Sequence, residues 1–242
     1  MSEGYVDLHC HYLPGIDDGV RTAEEGLELL RNLRAIGYHT VIATPHIRTA
    51  MFDNRKPGLE AKYAEMRARI EATPDMPATG LGAEHYYDDV FWDLFQRGEA
   101  LPYPGHKAAL VEFHYELWPH RIEDRFFEML VKGVRPVLAH PERYAALFRR
   151  TDPLDPLLDA GAVALLDLMS LVGRYGRSAE AAAERMLEEG TYYAACSDSH
   201  RPSDPERVAE AIERLRELVG DEETEELLAE NPRRILSGEV EL

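Results

Sequence analysis

Short runs of apolar and β-branched residues alternate along the whole chain with segments in which apolar positions recur at helical spacing. Tyr5 to His9 predicts the first strand. A loop then reaches Thr22, which with Glu25 forms a capping box and opens a helix carrying Leu27, Leu30, Leu33 and Ile36 on one face, stopped by Gly37. Thr40 to Thr44 predicts a second strand, Leu59 to Ala72 a charged amphipathic helix, and Ala78 to Glu84 a weaker strand. Ala108 to Phe113 follows as a strand, Ile122 to Lys132 as a helix ended by Gly133, and Val134 to His140 as a strand. A short helix lies between Pro153 and Gly161, a buried strand at Ala162 to Leu168, a helix at Ala179 to Glu189 and a last strand at Tyr192 to Cys196. Asp204-Pro205 then supplies an N-cap and first-turn proline for a helix bearing Val208, Ile212, Leu215 and Val219. Seven strand-plus-helix units without a repeat or linker predict one α/β domain over residues 1–242, a TIM-like barrel one unit short rather than a doubly wound sheet.

Composition narrows the function. The 242 residues hold 27 Lys+Arg against 45 Asp+Glu, a formal charge of −18, which argues against binding duplex nucleic acid or anionic membrane through phosphate contacts. A 45% hydrophobic content is too high for a disordered acidic chain. No apolar run approaches a membrane span and the start lacks a basic segment leading into an apolar one, so a cytoplasmic protein is expected, with no membrane insertion. Cys10 and Cys196 do not make a disulfide framework and are expected to be reduced.

The informative feature is positional. His9 and His11 end the first strand, His46 the second, Glu84 the third, Glu112 the fourth, His140 the fifth, and Asp198 and His200 follow the seventh. In a parallel barrel these ends share one face, where active sites are built, and Asp17 or Asp18 can reach it from the first loop. An H-x-H pair alone is a weak signal, and His46, His140 and Glu112 each also read as a satisfied core histidine or a salt bridge. Together they point to divalent ions held by mixed nitrogen and oxygen ligands, because buried glutamates on apolar strands need a partner. His140, preceding Pro141, is expected to keep strand geometry. His39, His85, His106, His114 and His120 read as surface or packing residues, Phe126, Phe127 and Met129 as core, and Asp221 to Glu230 as a solvated acidic helix face. Neither cysteine begins a phosphate-cradling loop, since after five intervening residues Cys10 is followed by Ile16, preceding Asp17, rather than by an arginine, and Arg201 lies one residue too close to Cys196.

The motifs His9-Cys10-His11, Thr44-Pro45-His46, Ala139-His140-Pro141 and Asp198-Ser199-His200 resemble those of the PHP (polymerase and histidinol phosphatase) superfamily. Asp7 through Gly19, Gly82-Ala83-Glu84, Leu110-Val111-Glu112-Phe113, His140-Pro141-Glu142-Arg143-Tyr144 and Asn231-Pro232-Arg233 resemble its manganese-dependent protein tyrosine phosphatase branch from bacterial capsule and exopolysaccharide loci. The resemblance implies a distorted barrel of seven β/α units and three divalent ions, Mn foremost, with Fe or Zn also suited to such ligands. It assigns His9, His11, Glu84 and Asp198 to one ion, Glu84, Glu112 and His140 to a second, and Asp18, His46 and His200 to a third. Asp18 is preferred to Asp17 as the acid before the glycine. Arg143 resembles the branch's phosphate-contacting arginine; Arg201 is the candidate for a second, although it follows His200 without the intervening residues usual there.

The expected reaction is phosphomonoester hydrolysis by metal-activated hydroxide, with no phosphoenzyme and Arg143 on the non-bridging oxygens. Tyr12, Tyr86 and Tyr87 are candidates to stack on a substrate ring, or to pack in the core. The resemblance implies a phosphotyrosine protein as substrate, a bacterial tyrosine autokinase among its partners. A small-metabolite phosphatase of the histidinol phosphatase kind is the enzymatic alternative, and a metal-stabilised scaffold the non-catalytic one.

Overall fold

The computed structural model describes residues 4–120 and 122–240. In chain order its elements are β1 (Tyr5–Cys10), α1 (Ala23–Ala35), β2 (Tyr38–Ala43), β3 (His46–Ile47), α2 (Lys56–Glu71), β4 (Ala78–Leu81), β5 (Glu84–Tyr86), α3 (Asp89–Gln96), β6 (Ala108–Glu112), α4 (Ile122–Val131), β7 (Arg135–Ala139), α5 (Asp155–Asp159), β8 (Val163–Asp167), α6 (Arg177–Glu188), β9 (Tyr192–Cys196), α7 (Asp204–Glu225) and α8 (Asn231–Ser237). Every strand pair is parallel, in one sheet ordered β1-β2-β4 and another ordered β3-β5-β6-β7-β8-β9. An isolated parallel bridge between Cys10 and Ser199 links the end of β1 to the chain beyond β9, with the His11 N–H donating to the Ser199 carbonyl at 2.9 Å.

The helix at Thr22 and the strands at Ala108, Val134, Ala162 and Tyr192 form where the pattern places them. The Thr22 hydroxyl accepts from the Glu25 N–H, one of the orphan donors at the start of α1, and the Glu25 carboxylate reaches back past the cap to accept from the Arg21 N–H at 2.7 Å. Leu29, Leu30 and Leu33 bury that helix against the sheet. β6 and β8 are buried at every residue, as strands covered on both faces must be.

Four features depart from the pattern. The strand expected over Ala78 to Glu84 is two, β4 and β5, broken at Gly82-Ala83; likewise β2 stops before Pro45, which has no N–H for a ladder, and resumes as β3. The Gly82 N–H donates to Ala43 and the Glu84 N–H to Pro45, so the two breaks run side by side. The segment Asp89–Gln96 is helical, capped by the Asp88 carboxylate on the Phe91 N–H. Phe126 and Met129 are core, but Phe127 is 58% exposed, because it follows Phe126 by one position and so faces away from the sheet. The Asp221 to Glu230 face is solvated only at its acids: Leu227, Leu228 and Ala229 between them are buried. Among the described residues no helix is long and apolar enough to cross a membrane.

Candidate metal centre

The ends of β1, β3, β5, β6, β7 and β9 bring nine of the expected side chains together. His9, His11, His46, Glu84, Glu112, His140 and Asp198 are buried, whereas Asp18 and His200 lie at the open rim. His9 Nε2 lies 3.1 Å from both His11 Nε2 and Glu84 Oε2 and 3.2 Å from Asp198 Oδ1; His11 Nε2 lies 3.5 and 3.4 Å from the same two oxygens. Ligand atoms held 2.0 to 2.2 Å from one ion sit about 3.0 to 3.4 Å apart, so His9, His11 and Glu84 have the spacing of a single coordination shell, and Asp198 Oδ1 stands at that spacing from both imidazoles. Asp18 Oδ1 lies 3.4 Å from both His46 Nε2 and His200 Nε2. Glu84 Oε1 meets His140 Nε2 at 3.0 Å, while its Oε2 lies 2.9 Å from His46 Nδ1, which is 3.5 Å from Glu112 Oε2. Glu84 therefore stands between groups on either side. Asp198 Oδ1 and Glu112 Oε2 are buried acceptors without a hydrogen-bond donor among the described residues, as expected of oxygens that a cation satisfies.

A second ring of residues aims the first. The buried Asp17 carboxylate lies 2.9 Å from His11 Nδ1 and accepts from the Gly19 and His46 N–H groups. It leaves His11 Nε2 turned to the quartet, and Asp18 turned to the rim; Gly19 is required here because a Cβ would come within 2.3 Å of the His11 carbonyl oxygen. Asp7 takes the Ser197 hydroxyl and N–H together with the His9 N–H, tying β1 to the β9 end. His200 Nδ1 contacts the Asp198 carbonyl at 2.8 Å, leaving Nε2 for Asp18. His140 is not extended: φ 34° and ψ 58° put it in the left-handed region, which corrects the strand geometry expected before Pro141. Asp198 shares that region at φ 45°. Such backbone costs roughly 1–3 kcal/mol per residue and persists where surrounding packing imposes it; here it turns both side chains off their strands into the cluster.

Charge follows the same geometry. Burial disfavours the charged form of His9, but Asp198 and Glu84 outweigh it and raise the imidazole to about 9. Burial pushes Glu112 up to about 7, helped by the adjacent Glu84 charge. Burial and Arg143 hold His140 at about 4, a neutral imidazole with a lone pair to give. Asp167, at the end of β8, is pushed to about 8 by burial and by Asp198.

Arg143 spans the mouth. Its Nη1 donates to Asp198 Oδ2 at 2.7 Å and lies 3.4 Å from Asp167 Oδ2, and its guanidinium stacks 4.1 Å from the Tyr175 ring and 5.1 Å from Tyr115. Arg201 is exposed, bordering a groove beside Asp18 and His200, with its N–H on the Asp204 carboxylate. Tyr12 is core, its hydroxyl on the Gly80 carbonyl, and Tyr87 packs on Phe91, Phe113 and Phe126. Sequence reasoning missed Asp167, Tyr115, Tyr175 and Arg48. Asp167 had a signal, being the one acid at the end of the sixth predicted strand; the others stand in loops where periodicity says nothing. His85 packs as expected, bridging the Leu110 carbonyl and the Leu101 N–H. Both cysteines are free and buried, and burial pushes each thiol well above its ordinary value.

Known proteins resemble this chain over most of its length. A family model described as capsular polysaccharide synthesis, CpsB/CapC, matches residues 5–237. The tyrosine-protein phosphatase YwqE of Bacillus subtilis (strain 168) is 30% identical over 197 residues, covering 81% of this chain and 77% of its own. The tyrosine-protein phosphatase CpsB of Streptococcus pneumoniae is 25% identical over 241 residues, covering 97% and 99%. A solved chain from the crystal structures of these two proteins, described as unique metal-dependent tyrosine phosphatases, superposes with a TM-score of 0.88 at 28% identity, covering 98% of this chain and 96% of that one.

Proposed function

The chain belongs to the CpsB/CapC capsular polysaccharide synthesis family, and from that premise and the geometry of its strand ends we propose that it is a metal-dependent protein-tyrosine phosphatase. The observation that carries the reading is the His9–His11–Glu84 group, whose ligand atoms stand at the separations of one coordination shell, with Asp198 Oδ1 at that distance from both imidazoles. We propose that His9, His11, Glu84 and Asp198 would hold one ion, Glu84, Glu112 and His140 a second, and Asp18, His46 and His200 a third, with manganese the metal. When bound, the ions supply a water of lowered pKa as nucleophile and positive charge for the phosphoryl oxygens.

The chain's own residues do the rest. Arg143, already turned into the mouth and backed by two tyrosine rings, offers its fork to the non-bridging oxygens. Arg201 borders the groove through which the polypeptide around the phosphotyrosine approaches. Cys10 and Cys196 are buried and burial raises each thiol above its ordinary value, which supports a reaction without a cysteinyl-phosphate intermediate. A tyrosine phenol, with a pKa near 10, leaves with little help from an acid. We read the whole chain as one domain, a distorted barrel of seven β/α units in which β2 with β3 and β4 with β5 each count as one stave. The setting we infer is cytoplasmic, the substrate a phosphotyrosine protein, a tyrosine autokinase being the partner the family resemblance implies.

The test is metal analysis of protein purified without chelator, then Mn²⁺-loaded turnover of phosphotyrosine peptide, phosphoserine peptide and histidinol phosphate. Phosphotyrosine hydrolysis lost on chelation and restored by Mn²⁺ is expected. Turnover of histidinol phosphate with phosphotyrosine left untouched would replace the reading with a metabolite phosphatase.

A further inference from the structure

Arg48 is a cation at this centre that the reaction as described does not use. It follows His46 by two residues in extended chain, so the two side chains leave on the same side. The turn beyond it is closed by Arg48 N–H to the Phe52 carbonyl at 3.0 Å and Phe52 N–H to the Arg48 carbonyl at 2.8 Å, and the Phe52 ring lies parallel to the His46 imidazole at 5.1 Å. The Arg48 guanidinium stacks 4.1 Å from the Tyr86 ring, and its Nη1 lies 3.9 Å from Glu112 Oε1.

This repeats the mounting of Arg143, which stacks 4.1 Å from Tyr175 beside the carboxylate of Asp198. Their donors are engaged to different extents. Arg143 donates from Nη1 to Asp198 at 2.7 Å and from Nη2 to the Tyr115 hydroxyl at 2.5 Å, whereas Arg48 hydrogen-bonds the Tyr86 side chain but stops beyond hydrogen-bond reach of Glu112, so of its five N–H groups some stay available to an incoming acceptor. Its side chain is nonetheless only 23% exposed, a withdrawal from water that a closer anion would offset. A phosphomonoester brings nearly two negative charges and three acceptor oxygens, more than one arginine fork can hold.

We propose that Arg48 is a further phosphate-binding residue of this site, holding the phosphoryl group from the Glu112 side while Arg143 holds it from the Asp198 side. The proposal rests on the phosphatase reading. Wild type, R48K, R48Q and R48M, each loaded with Mn²⁺, are compared for bound metal, melting temperature, calorimetric affinity for inorganic phosphate, and kcat and KM on a phosphotyrosine peptide. In R48M and R48Q, metal content and melting temperature hold while phosphate affinity and kcat/KM fall together by roughly tenfold to a hundredfold. R48K recovers only part of the loss, because an ammonium lacks the planar fork. Phosphate affinity within twofold of wild type in either neutral variant overturns the assignment; so does loss of metal, which would make Arg48 a support for Glu112. Wild type that binds phosphate but leaves phosphotyrosine intact sinks the phosphatase reading instead, and Arg48 is then judged on phosphate binding alone.

Discussion

Asp17 shows how one carboxylate sets the behaviour of its neighbours. It fixes the ring of His11 through Nδ1 and pins the N–H groups of Gly19 and His46, so three parts of the centre hang from it although it faces away from the ligand quartet. D17A is expected to weaken Mn²⁺ affinity tenfold to a hundredfold, about the loss found when an outer partner of a metal-bound histidine is removed, with D17N losing less. Metal titration of the folded variants checks this, and an unchanged affinity would reduce Asp17 to a turn-former. The sequence distinguished Asp18 from Asp17 only through resemblance, since adjacent acids in a loop carry no periodicity. Asp7, Ser197 and Asp198 could be placed near one another only as ends of neighbouring strands. The left-handed turn at His140 ran against the rule for residues before proline, because tertiary packing overrides a local preference of a few kcal/mol.

At the scale of elements, α1 begins directly after the loop that carries Asp17 and Asp18, so its first turn anchors one side of the rim. T22A removes the acceptor for the Glu25 N–H and is expected to cost about 1 kcal/mol. For a chain of this length that lowers the melting temperature by roughly 2–4 °C, measured by calorimetry; no shift would mean that the Glu25 to Arg21 contact alone holds the turn. This start was legible because a capping box joins residues close in sequence. The broken strands were not. A strand interrupted at Gly82-Ala83 and one interrupted at Thr44-Pro45 still alternate as single strands, and only their pairing, Gly82 on Ala43 and Glu84 on Pro45, reveals the matched offset that brings Glu84 opposite His46. The Asp89–Gln96 helix was hidden by its shortness and by Phe91, Trp92 and Phe95, which suit a strand as well as a helix.

Across the whole molecule, the excess of acid is not evenly spread in its effect. Glu84, Glu112 and Asp198 are withdrawn from water beside one another, an arrangement that favours the folded chain only when cations accompany it. Chelation is therefore expected to lower the melting temperature by roughly 5–10 °C for each site held at about a hundred times its dissociation constant, and Mn²⁺ to restore it. Identical melting curves with and without chelator would remove the ions from the stability of the fold. The bridge from Cys10 to Ser199 joins positions 189 residues apart. A ribosome delivers His9, His11 and Glu84 first and Asp198 and His200 only after β9, so a chain halted at β8 displays seven of the nine candidate ligands and lacks the two that complete the cluster. Contacts that distant form slowly, which makes catalytic competence a late event in biosynthesis, reached only once the seam between the first and last strands has closed.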